Sequence, residues 1–274
     1  MINDENIIKN IEEKAKKIRR YVINMIYEAG SGHPGGSLSC VDIITTLYFH
    51  IMMHDPLEPK WEDRDRFILS KGHAAPALYA TLAEAGYFPV EELKTLRKFG
   101  SRLQGHPEAK LLPGIEFSTG SLGQGLSVGA GIALNTKLEK KDFRTYVLLG
   151  DGEIEEGQVW EAALFANHNK LNNLTAIIDR NRYQIDGKTE EILSLEPLED
   201  KWRAFGWNVL TTDGHNIRDL INMFEKIKTN SGKKPTVIIA NTIKGRGISF
   251  MEGDNNWHGK SPSKEEYELA IKEL

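Results

Sequence analysis

Cysteine is almost missing from this sequence: Cys40 stands alone. A lone cysteine excludes any disulfide framework within the chain, and a reducing, cytoplasmic compartment is expected. Long apolar runs are missing too. No stretch approaches the ~20 residues that cross a bilayer. The N-terminal "MINDENIIKNIEEKAKKIRR" is far too charged for the apolar core of an export signal. Charge of one sign is also lacking: 35 Lys and Arg stand against 39 Asp and Glu, interspersed, for a net −4. No basic stripe suited to nucleic acid results. Neither nucleic acid nor membrane is expected as a partner. What remains is an ordinary globular composition, 40 % hydrophobic over 274 residues, ample for a full core.

Apolar residues at helical spacing (Ile7, Ile8, Ile11, Ala15, Ile18, Val22, Met25, Ile26) predict a helix over 4–29, capped by Asn3 or Asp4. A glycine-rich loop, "GSGHPGGS", follows. Ser39 is expected to cap a second helix running to about Met53. "DRFILS" reads as a buried strand, and helices are expected over 74–85 and 90–99. Residues 100–125 are rich in glycine and proline, a loop long enough to suggest function. A helix over 125–139 comes next. Then "TYVLLG", "LTAIID", "NVLTT" and "PTVIIANT" alternate with helical segments, and a last helix closes the chain. Near-continuous apolar strands separated by helices predict a doubly wound, mostly parallel α/β sheet with helices on both faces. With no convincing linker, residues 1–274 are expected to form one domain.

"LLGDGEIEEGQ" crowds acids where a strand ends. Asp151 terminates one apolar run and Asn181, about 30 residues on, follows the next, the span of one strand–helix–strand unit. Neighbouring strands would bring both to one sheet edge, where ligands of parallel sheets bind. A carboxylate and an amide oxygen are hard ligands for Mg²⁺ or Ca²⁺, and phosphate oxygens complete such shells. Gly150 and Gly152 would let a diphosphate approach the backbone. On the residues alone, Asp151 as a helix cap and Asn181 as a turn residue is an equal alternative. Glu153 and Glu155 read as solvated or capping.

Five of the eight histidines touch a glycine: His33, His73, His106, His215 and His258. Gly-His in a loop suggests an imidazole held where backbone must approach a ligand. His215, in "TDGHN", reads instead as structural, in a turn before a helix. His50 and His54 are four apart in "HIMMH" on one expected helix, without the intervening glutamate of metalloproteases. They read as surface or subunit-contact residues. His168 suits a helix C-terminus.

"GDGEIEEGQ…AIIDRNRYQIDG" resembles the thiamine-diphosphate motif of transketolases. "SGHPGGSLS", "DRFILSKGHAAPALYA", "GSRLQGHPE", "STGSLGQGLS", "TIKGRGISFMEG" and "WHGKSP" are similar to transketolase segments in transketolase order, covering about residues 30–262. The resemblance implies the thiamine-diphosphate-binding fold. It implies that Asp151, Asn181 and the Tyr183 carbonyl ligate Mg²⁺, or Ca²⁺ or Mn²⁺ in its place. Gly152 would lie against the diphosphate, with Glu153 beside it. Gly120, Ser121 and Leu122 would meet the cofactor rings. His73, His258 and Lys244 would lie near the diphosphate, and His33, His106 and His258 would contact sugar oxygens. Glu156 would join a proton relay toward a second active site.

Transketolases are usually over twice this length. By the resemblance, this chain is the diphosphate-binding half. The pyrimidine-binding and C-terminal domains, with the glutamate that activates the pyrimidine ring, are expected on a partner chain in an α₂β₂ assembly. The implied activity is ketol transfer between sugar phosphates. Alternatives are a chain dedicated to an unusual sugar such as apulose 4-phosphate, a 2-oxo acid dehydrogenase α chain, or a non-catalytic cofactor-binding protein.

Overall fold

In the computed structural model, residues 5–229 and 232–274 are described. The caps expected at Asn3 or Asp4 lie outside them. Helix α1 (Glu5–Ala29) buries Ile8, Ile11, Ala15, Ile18, Val22 and Ile26, the stripe its spacing predicts. The chain then coils through α2 (Pro34–Ser39) and α3 (Val41–Thr46), which runs on as a wider turn over Leu47–Ile51. Strand β1 (Arg66–Leu69) leads to α4 (Ala75–Ala85), and a long irregular segment to α5 (Gln124–Leu138). Strand β2 (Thr145–Gly150), α6 (Gly157–His168) and β3 (Leu174–Arg180) follow. A small hairpin, β4 (Tyr183–Gln184) with β5 (Gly187–Lys188), precedes α7 (Thr189–Ile192) and α8 (Leu198–Ala204). Then come β6 (Asn208–Asp213), α9 (Ile217–Lys228), β7 (Thr236–Asn241) and α10 (Lys264–Glu273).

The main sheet is parallel throughout, in the order β1-β2-β3-β7-β6. Its side chains alternate between two cores. Tyr146, Leu148, Ile177, Ile238 and Ala240 join the core beneath α1, α3, α4 and α9. Val147, Leu149, Ala176, Ile178, Val237 and Ile239 join the core beneath α5, α6 and α8. Covered on both faces, β2 and β3 are buried at every residue, which is why their sequences are apolar without alternation.

Three expectations are corrected. The second helix begins at Pro34, not after Ser39; proline at a first helical position costs no hydrogen bond. The Ser39 hydroxyl caps nothing and donates to Asp179 Oδ2 at 2.6 Å. Val90–Thr95 forms only a tight three-residue-per-turn helix. Its apolar residues, Val90, Leu93 and Leu96, recur every third position, which suits that geometry rather than an α-helix. His54 lies beyond the helical residues, where it meets the Tyr87 hydroxyl at 3.0 Å and the Tyr48 carbonyl at 2.6 Å.

Candidate active site

The carboxyl ends of β2, β3 and β7 converge on a cavity of about 260 Å³. Gly150 and Asp179 are direct partners across β2 and β3, so Asp151 and Asn181 emerge side by side, 1 % and 8 % exposed. Asp151 Oδ1 accepts the Gly152 N–H at 3.0 Å, and Oδ2 accepts the Arg182 N–H. The Asn181 amide donates to Asp179, and its oxygen accepts the Tyr183 N–H at 3.1 Å. Burial, reinforced by Asp179, pushes the Asp151 carboxyl up to about 7. Oδ1 accepts a single N–H, and both Asp151 and Asn181 line the cavity, so this edge offers hard oxygens that fit a cation, which would in turn favour the charged carboxylate. Among the described residues no three His, Cys, Asp or Glu side chains are arranged to hold a metal. A cation here needs oxygens from its ligand, as a diphosphate provides.

Cationic groups line the same cavity. Lys71 follows the end of β1 and is 1 % exposed. Its ammonium donates to the Gly36 carbonyl at 2.7 Å and to Asp179 Oδ2. Burial alone would raise the Asp179 carboxyl, but Lys71, Ser39 and Thr242 override it and hold the group ionised. Lys244 donates to Asn255 Oδ1 at 2.6 Å and to His258 Nδ1 at 3.0 Å. Burial, then Lys71, lowers its ammonium to about 8.

Three imidazoles cluster beside this pair, with His73 and His258 stacked and His33 edge-on to His258. The rings of His33, His73 and His258 lie 5.4–5.6 Å apart, centroid to centroid. Burial is the first cause that lowers each of them: His33 and His258 to about 4, and His73 well below its usual value. They are neutral donors and acceptors at neutral pH. His73 and His258 line the cavity; His33 stands one ring outside. The glycines of α2 make this approach possible. A side chain on Gly35 would meet the Trp257 carbonyl at 2.9 Å and Lys244 at 3.0 Å, and one on Gly36 would meet His73 at 3.2 Å.

The 118–125 loop forms the opposite wall. Leu122 lines the cavity, whereas Ser121 is exposed. Gly120, at φ +146°, packs against His106, whose ring a side chain there would meet at 3.1 Å. His106 is exposed, farther out than the other three histidines. Glu153, expected to be solvated or capping, is not solvated: it is 2 % exposed. Its oxygens accept the Gly123 and Gly150 N–H groups, each at 2.9 Å, and the Ser70 hydroxyl. With both oxygens so engaged, Glu153 fixes the 118–125 loop against the end of β2 while it lines the cavity. Glu155 is half-buried and accepts from Gln184 at 3.4 Å. Glu156 is exposed at the start of α6, on the cavity rim. Gly152 packs on Gln184, whose Cβ a side chain would meet at 2.6 Å. His215 bridges Asp42, at 2.8 Å, and the Ile243 N–H, at 2.8 Å, bracing the loop that bears Lys244.

Lys71 and Arg97 went unnoticed in the sequence. Lys71 follows an apolar strand as Asp151 does, and that position is its sequence signal. Arg97 offers no such signal. It adopts φ 57° and reaches Ser31 Oγ at 2.8 Å and His33 Nδ1 at 3.5 Å.

Residues 11–274 match the family described as transketolase, thiamine diphosphate binding domain. An apulose-4-phosphate transketolase subunit of Phocaeicola vulgatus is 49 % identical over 267 residues, covering 97 % of this chain and 94 % of that one. A 6-deoxy-6-sulfo-D-fructose transketolase subunit of a Clostridium species is 47 % identical, covering 97 % and 96 %. Human transketolase is 42 % identical over 99 % of this chain but only 43 % of its own. The crystal structure of transketolase from Campylobacter jejuni superposes with a TM-score of 0.91 at 34 % identity, over 97 % of this chain and 42 % of that one. The chain belongs to the transketolase family and constitutes its N-terminal, thiamine-diphosphate-binding part, at the length of the relatives named as subunits.

Proposed function

We propose that this chain is the cofactor-anchoring N-terminal subunit of a split transketolase, which transfers a two-carbon ketol unit from a ketose phosphate to an aldose phosphate. The carrying observation is one cavity where Asp151 and Asn181 face Lys71, Lys244 and the His73–His258 pair. Asp151, Asn181 and the Tyr183 carbonyl hold a divalent cation, Mg²⁺ or, in its place, Ca²⁺ or Mn²⁺. The two ammonium groups and the cation together offset the charge of a diphosphate. Thiamine diphosphate, when bound, supplies the nucleophilic carbon and electron sink for breaking and forming the carbon–carbon bond. His33, His106 and His258 donate hydrogen bonds to sugar oxygens and move protons at the carbonyl and hydroxyl oxygens. Glu156, on the rim, exchanges protons with the site of a second copy. A separate C-terminal subunit brings the glutamate for the pyrimidine ring, in an α₂β₂ assembly. The single cysteine, buried, suits a cytoplasmic setting.

Co-purification with the product of the adjacent gene, followed by a ketol-transfer assay, tests this reading. The reconstituted pair should turn over sugar phosphates and the lone chain should not. Turnover by the lone chain, or failure to bind thiamine diphosphate with a divalent ion, overturns it. A second reading, dedication to an uncommon sugar, is favoured by relatives at 49 % and 47 % identity whose names specify apulose 4-phosphate and a sulfo-sugar. A donor panel including xylulose 5-phosphate and apulose 4-phosphate separates the two.

A further inference from the structure

Arg180 closes β3, and its side chain is 1 % exposed. Nη1 donates to Asp151 Oδ2 at 3.2 Å and to Thr189 Oγ1 at 2.9 Å. Nη2 donates to Glu190 Oε1 at 2.7 Å and to Glu196 Oε1 at 3.1 Å. One rigid fork therefore joins the end of β2 to the segment 189–196.

The arrangement is demanding. A buried guanidinium is costly unless every donor is paired with good geometry. Three of its four partners lie in 189–196 and fix the plane of the fork from behind. Asp151 thus meets a donor whose position is already set. Oδ2 accepts both that donor and the Arg182 N–H, whereas Oδ1 accepts only the Gly152 N–H. Oδ1 retains a lone pair for a cation. A bare guanidinium beside a cation site would repel the ion. Here Glu190 and Glu196 more than cancel its charge, so the group as a whole stays negative.

We infer that Arg180 is a positioning residue for the divalent cation: its fork fixes the Asp151 carboxylate with Oδ1 open to the ion and makes the 189–196 segment part of the metal site. This rests on the reading of Asp151 as a cation ligand toward thiamine diphosphate. Outer groups of this kind contribute about 10–100-fold to metal affinity.

The test is Mn²⁺ binding to the full chain with thiamine diphosphate, read from the free-ion signal in electron paramagnetic resonance, with no activity needed. Arg180→Met and Arg180→Lys should each weaken Mn²⁺ by about tenfold or more, because lysine restores the charge but cannot fork. The pair Glu190→Gln with Glu196→Gln keeps acceptor oxygens but strips the compensating charge. It should weaken Mn²⁺ by about threefold, as for part-exposed charges. These glutamates are 36 % and 52 % exposed, so this variant carries the test even if Arg180 variants fail to fold. Asp151→Ala should abolish cation-dependent binding. Rescue by lysine overturns the inference, as does wild-type affinity in Arg180→Met or in the double glutamine variant, while Asp151→Ala still loses the ion. Wild-type affinity in Asp151→Ala overturns the cation reading itself, and the role of Arg180 with it.

Discussion

Glu153 accepts the Gly123 N–H at 2.9 Å, across 30 residues of chain. Its second oxygen takes the Gly150 N–H, so one buried carboxylate stitches the 118–125 loop to the end of β2. The two walls of the cavity are set against each other by this side chain. Burial raises the Glu153 carboxyl, while Ser70 and the two backbone donors lower it.

Glu153→Gln should therefore be disproportionately harmful for so small a change. The glutamine NH₂ replaces an acceptor and confronts at least one backbone N–H. An unsatisfied buried donor costs about 1–3 kcal/mol. Denaturant unfolding of the free chain should show a loss of that size, and calorimetry should show weaker thiamine diphosphate binding. Wild-type values for both would refute the stitch.

At Asp151, function and stability pull apart. The folded carboxyl titrates at about 7 against an ordinary 3.8, so the folded chain holds this proton more tightly. The stabilisation is complete below pH 3.8 and is lost as pH rises through about 7. Asp151→Asn removes that dependence. Its NH₂ must also face the Gly152 or Arg182 N–H, a cost of about 1–3 kcal/mol at every pH, so the readout is the slope: the stability of the cofactor-free variant relative to wild type should rise by at most about 4 kcal/mol between pH 4 and pH 8. The same variant should lose cation-dependent cofactor binding. A stability difference between variant and wild type that stays constant from pH 4 to pH 8 would refute the raised carboxyl.

The parallel sheet was readable because burial on both faces leaves apolar runs such as "TYVLLG" and "LTAIID" with little ambiguity. Asp151 and Asn181 were readable because strand ends mark the ligand edge. The histidines announced themselves through glycine neighbours, and Gly35 and Gly36 are required by contacts with Lys244, Trp257 and His73. What escaped was long-range pairing. Glu153 looks solvated within "GEIEEG", and its burial depends on Ser70 and Gly123, both distant in sequence. Arg180 looks like a loop arginine, and four partners from two segments enclose it. No local pattern encodes such partners.

Lys244 should make cofactor binding depend on pH. Burial, then Lys71, lowers its ammonium to about 8, so the free chain loses this charge as pH rises through that value. A bound diphosphate favours the protonated form. Thiamine diphosphate affinity should fall above pH 8, by up to about tenfold per unit for one linked proton. Lys244→Met should bind more weakly at pH 7 and show a flatter profile. The comparison is calorimetric, at saturating Mg²⁺, over pH 6.5–9.5. An unchanged slope in Lys244→Met would assign the titration elsewhere.

The imidazoles should divide into two kinds by position. His73 lines the cavity beside Lys71, whereas His33 stands a ring farther out and His106 lies beyond it, exposed. Cofactor contact is thus expected of His73 and sugar contact of His33 and His106. His33→Ala should lower kcat/KM for ketol transfer by about 100-fold, the lower end for removing an acid–base or oxyanion donor, and leave cofactor affinity within a factor of about two. His106→Ala should raise KM for the sugar more than it lowers kcat, since its exposed ring suits binding in ground and transition states alike. His73→Ala should instead weaken thiamine diphosphate, with kcat restored at saturating cofactor. The rings start neutral: His33 and His258 titrate near 4, so their own ionisation should leave no inflection between pH 6 and 8 in the free chain. NMR titration of their ring protons checks this directly. An imidazole titrating near 6.5 at either position would mean that the ring is solvated, and that the cluster does not present neutral donors to the sugar.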